Sequence, residues 1–181
     1  EEISSEKPNL KNDYTHIILP GNGSFKTNID KIRENNLDSY LVECFNKNKY
    51  FLGICVGMQI LASYGYENGK FEGLNIISGN VIKIPVKKKI LPHIGWNDVI
   101  IKKSNPLIDK NMIKNSFYFF HIYYFDLIEN ESLLCSTYYE KEFPVIIKKK
   151  NFYGVQFHPE KSQKDGINLV KNFLSLKWKL D

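Results

Sequence analysis

Two short stretches of the chain carry residue types that together can perform nucleophilic chemistry. Residues 53–59 read Gly-Ile-Cys-Val-Gly-Met-Gln and stand between the apolar runs 50–52 and 60–62. A strand that turns sharply into a helix, with Cys55 at the turn and glycine on both sides, holds a nucleophile accessible. We expect the start of this helix to favour the thiolate, because its dipole and free N–H groups stabilise negative charge.

The second stretch, residues 154–160, supplies the partners that such a nucleophile needs. It reads Gly-Val-Gln-Phe-His-Pro-Glu, in which His158 can act as a base and Glu160 can orient its ring. Cysteine, histidine and an acid in this order are typical of acyl transfer through a cysteine thioester. Taken alone, Cys55 would more often be a buried structural thiol and His158 a loop histidine; the two motifs together favour catalysis.

The composition argues against several classes of protein. The chain has 181 residues, a formal net charge of +5 and 43% hydrophobic residues, which is ordinary for a globular protein of one domain. No apolar run approaches the ~20 residues that span a bilayer. The lysine runs 87–89 and 148–150 are expected at solvated hairpin tips or edges, not on a nucleic-acid-binding face. We therefore expect neither a membrane nor a nucleic-acid partner.

The cysteines and histidines predict no metal site. The three cysteines are an odd number without metal-type spacing, and the four histidines are dispersed along the chain. Cys44 and Cys135 are expected to be core thiols. This usage of cysteine predicts a reducing, cytoplasmic setting, and we expect no metal and no cofactor.

Apolar spacing predicts the elements that position the two motifs. Residues 14–19 read as a strand that ends at the turn 20–23, and Ser24 is a good N-cap for the helix that follows. Strand–helix alternation in the first half predicts an α/β fold with a mostly parallel central sheet flanked by helices, and the second half predicts an added antiparallel region. Further predicted elements are helix 38–48, strand 50–54, a helix from the cysteine turn to about 64, short strands at 75–78, 81–84, 98–101, 117–120, 133–138, 145–148 and 152–156, and a last helix at 164–176.

The domain organisation is expected to be simple. We find no linker, repeat or low-complexity segment, so residues 1–181 are predicted to form one domain. Residues 1–12 are polar and are expected to form a loop or a short exposed helix.

Five stretches in the same order resemble the class I (triad-type) glutamine amidotransferases. Residues 53–59 are similar to the nucleophile elbow of these enzymes, and residues 154–162 to their His-Pro-Glu segment. Residues 19–25, 92–97 and 117–124 further resemble the glutaminase subunits of imidazole glycerol phosphate synthase, which serve histidine biosynthesis. The resemblance covers nearly the whole chain and implies the class I glutamine amidotransferase fold. It also implies that the sequence enters after the family's first strand and helix, whose true absence would destabilise the sheet.

The resemblance implies a role for each matched residue in the hydrolysis of glutamine. Cys55 would attack the side-chain amide, His158 would carry the thiol proton to the leaving ammonia, and Glu160 would hold the imidazole in the required tautomer. Backbone N–H groups of Val56 and Asn22 would stabilise the oxyanion. The remaining expected contacts with glutamine are made by Gly21, Gly23, Gly57, Gln59, His121, Ile122 and Tyr123.

Three positions depart from the family pattern: Asn22, Val56 and Ile122. The family usually has Val where this chain has Asn22, in a turn whose peptide can flip to complete the oxyanion hole. Asparagine tolerates left-handed backbone far better than a β-branched residue, so we hypothesise a more accessible flipped state and a higher basal glutaminase activity. An equal alternative is that Asn-Gly simply makes a good tight turn. Ile122 stands where the family has Ser or Thr, so contact there must be through the backbone.

The resemblance also implies a (β/α)8-barrel synthase that docks over the site and receives ammonia along a sealed path. Trp96, Asn97, Tyr118 and Lys161 match positions that face this partner, and Trp and Tyr are common interface anchors. Trp96 as an ordinary core residue and His121 as packing under the sheet edge remain alternatives.

Three other functions stay open at this point. A paralogous glutaminase subunit could supply ammonia for amidation of a bacterial surface-sugar precursor. The chain could also be a non-catalytic scaffold subunit or a free-standing cysteine peptidase.

Overall fold

The computed structural model describes residues 14–108 and 116–177. The expectation for residues 1–12 lies outside these ranges. Helices and strands follow one another as β1 (His16–Gly21), α1 (Phe25–Glu34), α2 (Leu37–Asn46), β2 (Tyr50–Cys55), α3 (Val56–Gln59), β3 (Tyr64–Gly65), β4 (Phe71–Glu72), β5 (Gly79–Lys83), β6 (His93–Asp98), β7 (Ile100–Ile101), β8 (Ser116–His121), β9 (Tyr123–Leu127), β10 (Leu133–Tyr139), β11 (Lys141–Lys149), β12 (Phe152–Val155) and α4 (Gln163–Leu174).

The central sheet is mixed and confirms the α/β prediction. Its strand order is β1-β2-β12-β11-β10-β7. The strands β1, β2 and β12 are parallel, whereas β11, β10 and β7 continue the sheet in antiparallel pairs. Because the carboxyl ends of parallel strands share one edge, the residues that follow β1, β2 and β12 come together there.

Helices cover both faces of the parallel half, as predicted. Phe152 and Tyr153 are neighbours in β12, so their side chains point to opposite faces. The ring of Phe152 lies 5.3 Å from that of Phe45 in α2, and the ring of Tyr153 lies 6.4 Å from that of Phe173 in α4. The core of the molecule therefore has two layers on the sheet, and Cys44 and Cys135 are buried thiols in it, as expected.

Two smaller sheets make up the antiparallel region. One has the order β4-β3-β5-β9, and the other is the two-stranded ribbon β6–β8. The ribbon is tied to the His-Pro-Glu segment, because the N–H of His158 donates to the carbonyl of Tyr118 at 2.9 Å. The ribbon is thus positioned beside the edge where the parallel strands end.

The helix expected to run from the cysteine turn to about residue 64 is much shorter, since α3 ends at Gln59. The carbonyl groups of residues 60–62 accept hydrogen bonds from the N–H groups of residues 74–77 instead of continuing the helix. The strand predicted at 75–78 is also wrong. Its N–H groups donate to the carbonyl groups that follow α3 and not to a neighbouring strand. Tertiary hydrogen bonds here override apolar spacing.

Other elements differ in their ends. The strand predicted at 98–101 is divided between β6 and β7, and β9 was not predicted at all. The helix after Ser24 is confirmed as α1, and the Ser24 hydroxyl accepts a hydrogen bond from the N–H of Thr27 at 3.1 Å. In the described ranges no helix is both long enough and apolar enough to cross a bilayer.

Candidate active site

The nucleophile elbow is built by close backbone packing at the end of β2. Cys55 has φ 55° and ψ −111°, a conformation that non-glycine residues rarely adopt. A Cβ added to Gly53 would lie 2.3 Å from the Gly57 carbonyl oxygen, and one added to Gly57 would lie 2.1 Å from the Leu19 carbonyl oxygen. Glycine is therefore required at position 53 for β2 to pack against α3, and at position 57 for α3 to pack against β1.

The His-Pro-Glu segment holds a histidine ring in one orientation. Nδ1 of His158 lies 2.7 Å from Oε1 of Glu160, within a short 3₁₀ turn, Pro159–Lys161. A carboxylate has no proton to donate and accepts hydrogen bonds only, so Nδ1 of His158 is the donor. Its Nε2 is left for proton transfer. The hydroxyl of Ser162 donates to the His158 carbonyl at 2.6 Å and fixes the same turn.

One cavity of about 530 Å³ brings the two motifs together. It is lined by Gly21, Asn22, Gly23, Cys55, Val56, Gln59, Glu67, Pro92, Phe120, His121, Ile122, Tyr123, His158 and Lys161. Two residues predicted for catalysis or substrate binding are not in this lining: Gly57 packs against Leu19, and Glu160 contacts His158 from outside the cavity. The cavity is the natural place for a substrate of the size of an amino acid.

The side-chain amides of Gln59 and Gln156 form a hydrogen-bond network beneath the cavity, and the sequence predicted a site role for Gln59 but not for Gln156. Nε2 of Gln59 donates to the Tyr123 carbonyl at 3.0 Å and to Oε1 of Gln156 at 3.1 Å. Nε2 of Gln156 lies 3.7 Å from Sγ of Cys55. Gln156 is fully buried between two apolar residues of the His-Pro-Glu segment, and a polar residue in such a run is a signal for a buried hydrogen bond.

The cavity lining carries opposite charges, and this feature was not foreseen either. Among the lining residues Glu67 is the acidic side chain and Lys161 the basic one. Oε2 of Glu67 accepts the N–H of Phe25 at 2.8 Å, which ties this side chain to the start of α1. No spacing rule pointed to Glu67, because it lies in a loop, and Pro92 and Phe120 were likewise not assigned to the site.

The thiol of Cys55 is neutral at rest, so the expected thiolate is wrong. Burial raises the pKa of Cys55 to about 11, and the charge of Glu160 raises it further. The Val56 N–H, Lys161 and Gln156 act in the opposite direction but are outweighed. The one-turn helix α3 is too short for its dipole to overcome the loss of water. The thiol must therefore give its proton to a base as it attacks.

The turn after β1 stands opposite Cys55. The pairing of β1 with β2 extends to Gly21, which lies opposite Cys55. Gly23 has φ 76°, and the carbonyl of Asn22 accepts a hydrogen bond from Nδ2 of Asn28 at 2.7 Å. The left-handed residue of the turn is thus Gly23, whereas Asn22 has a negative φ.

The four residues predicted to face the partner differ from one another in exposure and in their contacts within the chain. Trp96 is 49% exposed on the ribbon, so it is not a core residue. It lies opposite Tyr118, with the two rings 6.3 Å apart, and Nζ of Lys161 is 6.0 Å from the Tyr118 ring. The side chain of Asn97 is engaged within the chain, because Nδ2 contacts Nε2 of His93 at 3.1 Å.

Two buried histidines contact each other at the cavity: His121 lines it, whereas His93 does not. Nε2 of His121 and Nδ1 of His93 are 2.9 Å apart, and Nδ1 of His121 contacts the Tyr123 carbonyl at 2.8 Å. Burial lowers the pKa of His121 to about 3 and that of His93 to about 4. Both rings are therefore neutral near pH 7.

Metal binding finds no support in the described part of the chain. Residues 14–108 and 116–177 contain no cluster of three or more His, Cys, Asp or Glu side chains that could hold an ion. The chemistry of the cavity is that of a thiol, an imidazole and a carboxylate.

Comparison with known proteins identifies the family. A family model described as glutamine amidotransferase class-I matches residues 1–176. The HisH subunit of imidazole glycerol phosphate synthase from Oceanobacillus iheyensis is 42% identical over 171 residues, which cover 94% of this chain and 84% of that relative. The same subunit from Geobacillus sp. is 38% identical over 181 residues, which cover 97% of this chain and 85% of that relative.

Solved structures share the fold. The structure of PurLQS from Thermotoga maritima has a TM-score of 0.67 at 19% identity, over 90% of this chain and 79% of that one. A crystal structure described as glutamine amidotransferase has a TM-score of 0.66 at 17% identity, over 88% and 77% of the two chains. At these identities the likeness shows the fold alone. With the family model and the sequence relatives, it follows that this chain belongs to the class I glutamine amidotransferases and, within them, to the HisH subunits of imidazole glycerol phosphate synthase.

Proposed function

We propose that the chain hydrolyses glutamine to glutamate and ammonia, and that it delivers the ammonia to a (β/α)8-barrel synthase that makes imidazole glycerol phosphate in histidine biosynthesis. One observation carries the proposal: Cys55 and His158 line the same cavity, and His158 is held by Glu160 at 2.7 Å. The relatives named above are subunits of that synthase, and they supply the identity of the pathway.

The first half-reaction forms a thioester. Nε2 of His158 accepts the thiol proton as Sγ of Cys55 attacks the side-chain amide carbon of glutamine. The backbone N–H groups of Val56 and Asn22 stabilise the oxyanion of the tetrahedral intermediate. His158 then gives its proton to the leaving nitrogen, and ammonia departs while the γ-glutamyl group stays on sulfur.

The second half-reaction releases glutamate. His158 takes a proton from water, which attacks the thioester carbonyl, and the same N–H groups stabilise the second oxyanion. The imidazolium then returns the proton to the sulfur as the thioester breaks. Glu160 stabilises the imidazolium in both halves, because its carboxylate accepts the Nδ1–H bond.

The charges of the cavity fit the amino-acid end of glutamine. Its ammonium group complements Glu67, and its carboxylate complements Lys161. Gln59 uses Nε2 within the chain, which leaves Oε1 to accept a hydrogen bond from the ligand. The other predicted glutamine contacts also line the wall: Gly21, Gly23, His121, Ile122 and Tyr123. Ile122 offers only backbone groups for polar contact.

An exposed apolar surface on the ribbon supports the docking of the barrel partner. Ile94 lies opposite Phe120 and Trp96 lies opposite Tyr118, and Ile94, Trp96 and Phe120 are each about half exposed. Phe120 also lines the cavity, so a partner on this surface would cover its mouth. Coverage is needed because free ammonia is mostly protonated at neutral pH and diffuses away.

The test is the release of glutamate from glutamine by the full-length protein, alone and in complex with its barrel partner and the acceptor ligand. We expect stimulation by the partner, loss of activity in Cys55→Ala, and retention in the matched variant Cys44→Ala, which alters a buried thiol outside the cavity. No release from a folded complex would contradict the proposal and favour a scaffold subunit.

The same experiment separates the remaining alternatives. Stimulation by a surface-sugar acceptor instead of the imidazole precursor would assign the chain to the paralogous pathway. Peptide cleavage without a partner would indicate a peptidase. A cytoplasmic setting stays a prediction, supported by three cysteines that are all unpaired.

A further inference from the structure

We propose that His93 is a positioning residue for glutamine, because its pairing with His121 fixes the carbonyl group to which Gln59 is anchored. His93 itself does not line the cavity. The inference rests on the proposed function, since it concerns how the same cavity holds its substrate.

Three hydrogen bonds link Tyr123, His121, His93 and Asn97 in series, and the Tyr123 carbonyl sets the direction of each. The Tyr123 carbonyl can only accept, so Nδ1 of His121 is the donor at 2.8 Å. Nε2 of the neutral His121 ring is then an acceptor, and Nδ1 of His93 donates to it at 2.9 Å. Nε2 of His93 in turn accepts from Nδ2 of Asn97 at 3.1 Å. Both rings are therefore Nδ1–H tautomers.

Asn97, at the other end of this series of hydrogen bonds, sets the same direction independently. Oδ1 of Asn97 accepts the N–H of Asp98 at 2.9 Å, so the opposite atom of this side chain is its amide nitrogen. That nitrogen also donates to the Tyr138 carbonyl at 3.2 Å. The orientation of Asn97 thus leaves His93 one choice of tautomer.

Packing prevents the His93 ring from rearranging. His93 is 2% exposed, and its ring is stacked between Phe119 at 4.7 Å and Tyr139 at 4.1 Å. A flipped ring or the other tautomer would place a donor against the donor of Asn97 or leave a buried nitrogen unpaired, and both cost stability. The pair is consequently a fixed support and not a mobile contact.

The series of hydrogen bonds ends at the Tyr123 carbonyl, beside the substrate pocket. The Tyr123 carbonyl accepts both from His121 and from Nε2 of Gln59, at 2.8 Å and 3.0 Å. Its position therefore determines where Oε1 of Gln59 is presented to the ligand. Loss of the His93 bond would free the His121 ring and this carbonyl, which weakens the binding of glutamine more than the chemistry at Cys55.

The experiment measures glutamate release by the complex with the barrel partner as a function of glutamine concentration. His93→Phe keeps the aromatic stack but removes both ring nitrogens, and His93→Asn retains a donor near the position of Nδ1. We expect His93→Phe to raise KM about tenfold with less than about a threefold change in kcat, which is the size of one lost hydrogen bond. His93→Asn should recover part of the loss.

His16→Phe is the matched control. His16 is also a stacked histidine, 4.9 Å from the Tyr50 ring, but it does not line the active-site cavity. We expect its KM to equal that of the unaltered protein. A KM that is unchanged in His93→Phe, or raised equally in His16→Phe, would overturn the inference.

A spectroscopic measurement tests the pair without kinetics. Long-range ¹H–¹⁵N spectra of the unaltered protein should show His93 and His121 as neutral Nδ1–H tautomers, and an Nε2–H tautomer of either would overturn the inference even if His93→Phe does not fold. Absence of glutaminase activity in the unaltered complex would refute the proposed function instead, so the two failures are distinguishable.

Discussion

At the scale of single residues, reactivity is set by burial and by a few fixed hydrogen bonds. Cys55 is 5% exposed and its pKa is raised, whereas His158 receives its orientation from Glu160. The thiol is thus neutral at rest and needs His158 to accept its proton as it attacks.

The pH dependence of thiol alkylation follows from this burial. Only the thiolate reacts with iodoacetamide, so the modification rate of Cys55 should rise about tenfold per pH unit up to about pH 10. Mass analysis of the Cys55 peptide measures the rate. Cys135 is fully buried with its pKa raised to about 12, and we expect no modification of it in the folded protein. A plateau of the Cys55 rate near pH 8 would contradict a raised pKa.

Asn22 tests the hypothesis of an accessible flipped turn. A valine disfavours left-handed backbone at this position by about 1 kcal/mol or more, so Asn22→Val should lower the basal glutamate release several-fold. The rate with the barrel partner and its ligand bound should change less, and it serves as the internal control. An unchanged basal rate would show that Asn-Gly is only a good tight turn, held by Asn28.

Some site residues could be predicted from the sequence because their types are rare and their spacing is tight. Cys55 between two glycines, and Glu160 two residues after His158, have few uses other than chemistry. Glu67 carries no such signal, since an acid in a loop is usually solvated. It reaches the cavity only because of tertiary structure that places its loop at the start of α1.

At the scale of elements, close backbone contact between β1, β2 and α3 shapes the site. The glycines of the elbow allow this contact, and the carboxyl ends of β1, β2 and β12 bring the three catalytic segments to one edge. The strand-to-helix turn was predictable because glycine punctuates it. The end of α3 was not, because it depends on hydrogen bonds to residues 74–77 far along the chain.

Gly57→Ala tests the close contact. Its Cβ would meet the Leu19 carbonyl oxygen, a backbone atom, at 2.1 Å, so we expect a loss of about 3 kcal/mol in the free energy of unfolding, the upper end for overpacking. Gly23→Ala is the comparison: its Cβ would meet nothing within 4 Å, and only its φ of 76° is strained, at a cost of about 1 kcal/mol. Urea denaturation measures both. Equal losses would contradict the packing argument.

The buried pair of His93 in β6 and His121 in β8 makes stability dependent on pH. In the unfolded chain each ring takes up a proton near pH 6.5, whereas the folded pKa values are about 4 and about 3. The stabilisation is therefore complete above about pH 6.5 and is lost as pH falls, down to about pH 4 for His93 and about pH 3 for His121. Two such groups contribute a slope of up to roughly 2.7 kcal/mol per pH unit.

Urea denaturation at several pH values between 4 and 7 measures this slope. His93→Phe should reduce the slope by up to half, because one of the two titrating rings is removed. Identical slopes in the two proteins would contradict the lowered pKa of His93.

At the scale of the whole molecule, the ribbon surface and the cavity form one continuous face. Trp96 and Tyr118 are on that surface, and Phe120 belongs both to it and to the cavity wall. The exposure of Trp96 could not be read from the sequence, because a tryptophan in an alternating strand fits either a core or an interface. Pairing of β6 with β8 decides which face it occupies.

Trp96→Ala tests this surface. We expect the affinity for the barrel partner to fall about 30-fold, corresponding to about 2 kcal/mol for an interface anchor, with little change in the stability of the isolated chain. Isothermal titration measures the affinity. Ile128→Ala, which alters another exposed apolar side chain outside the ribbon, should bind normally. Equal affinities for the two variants would refute the assignment.

The central claim is that glutamine is hydrolysed through a thioester on Cys55. The most direct measurement is rapid acid quenching of the complex during turnover, followed by mass analysis of its cysteine-containing peptides. We predict a γ-glutamyl adduct on the Cys55 peptide and none on those of Cys44 or Cys135. An adduct on another cysteine, or undiminished glutamate release after Cys55→Ala, would contradict the mechanism.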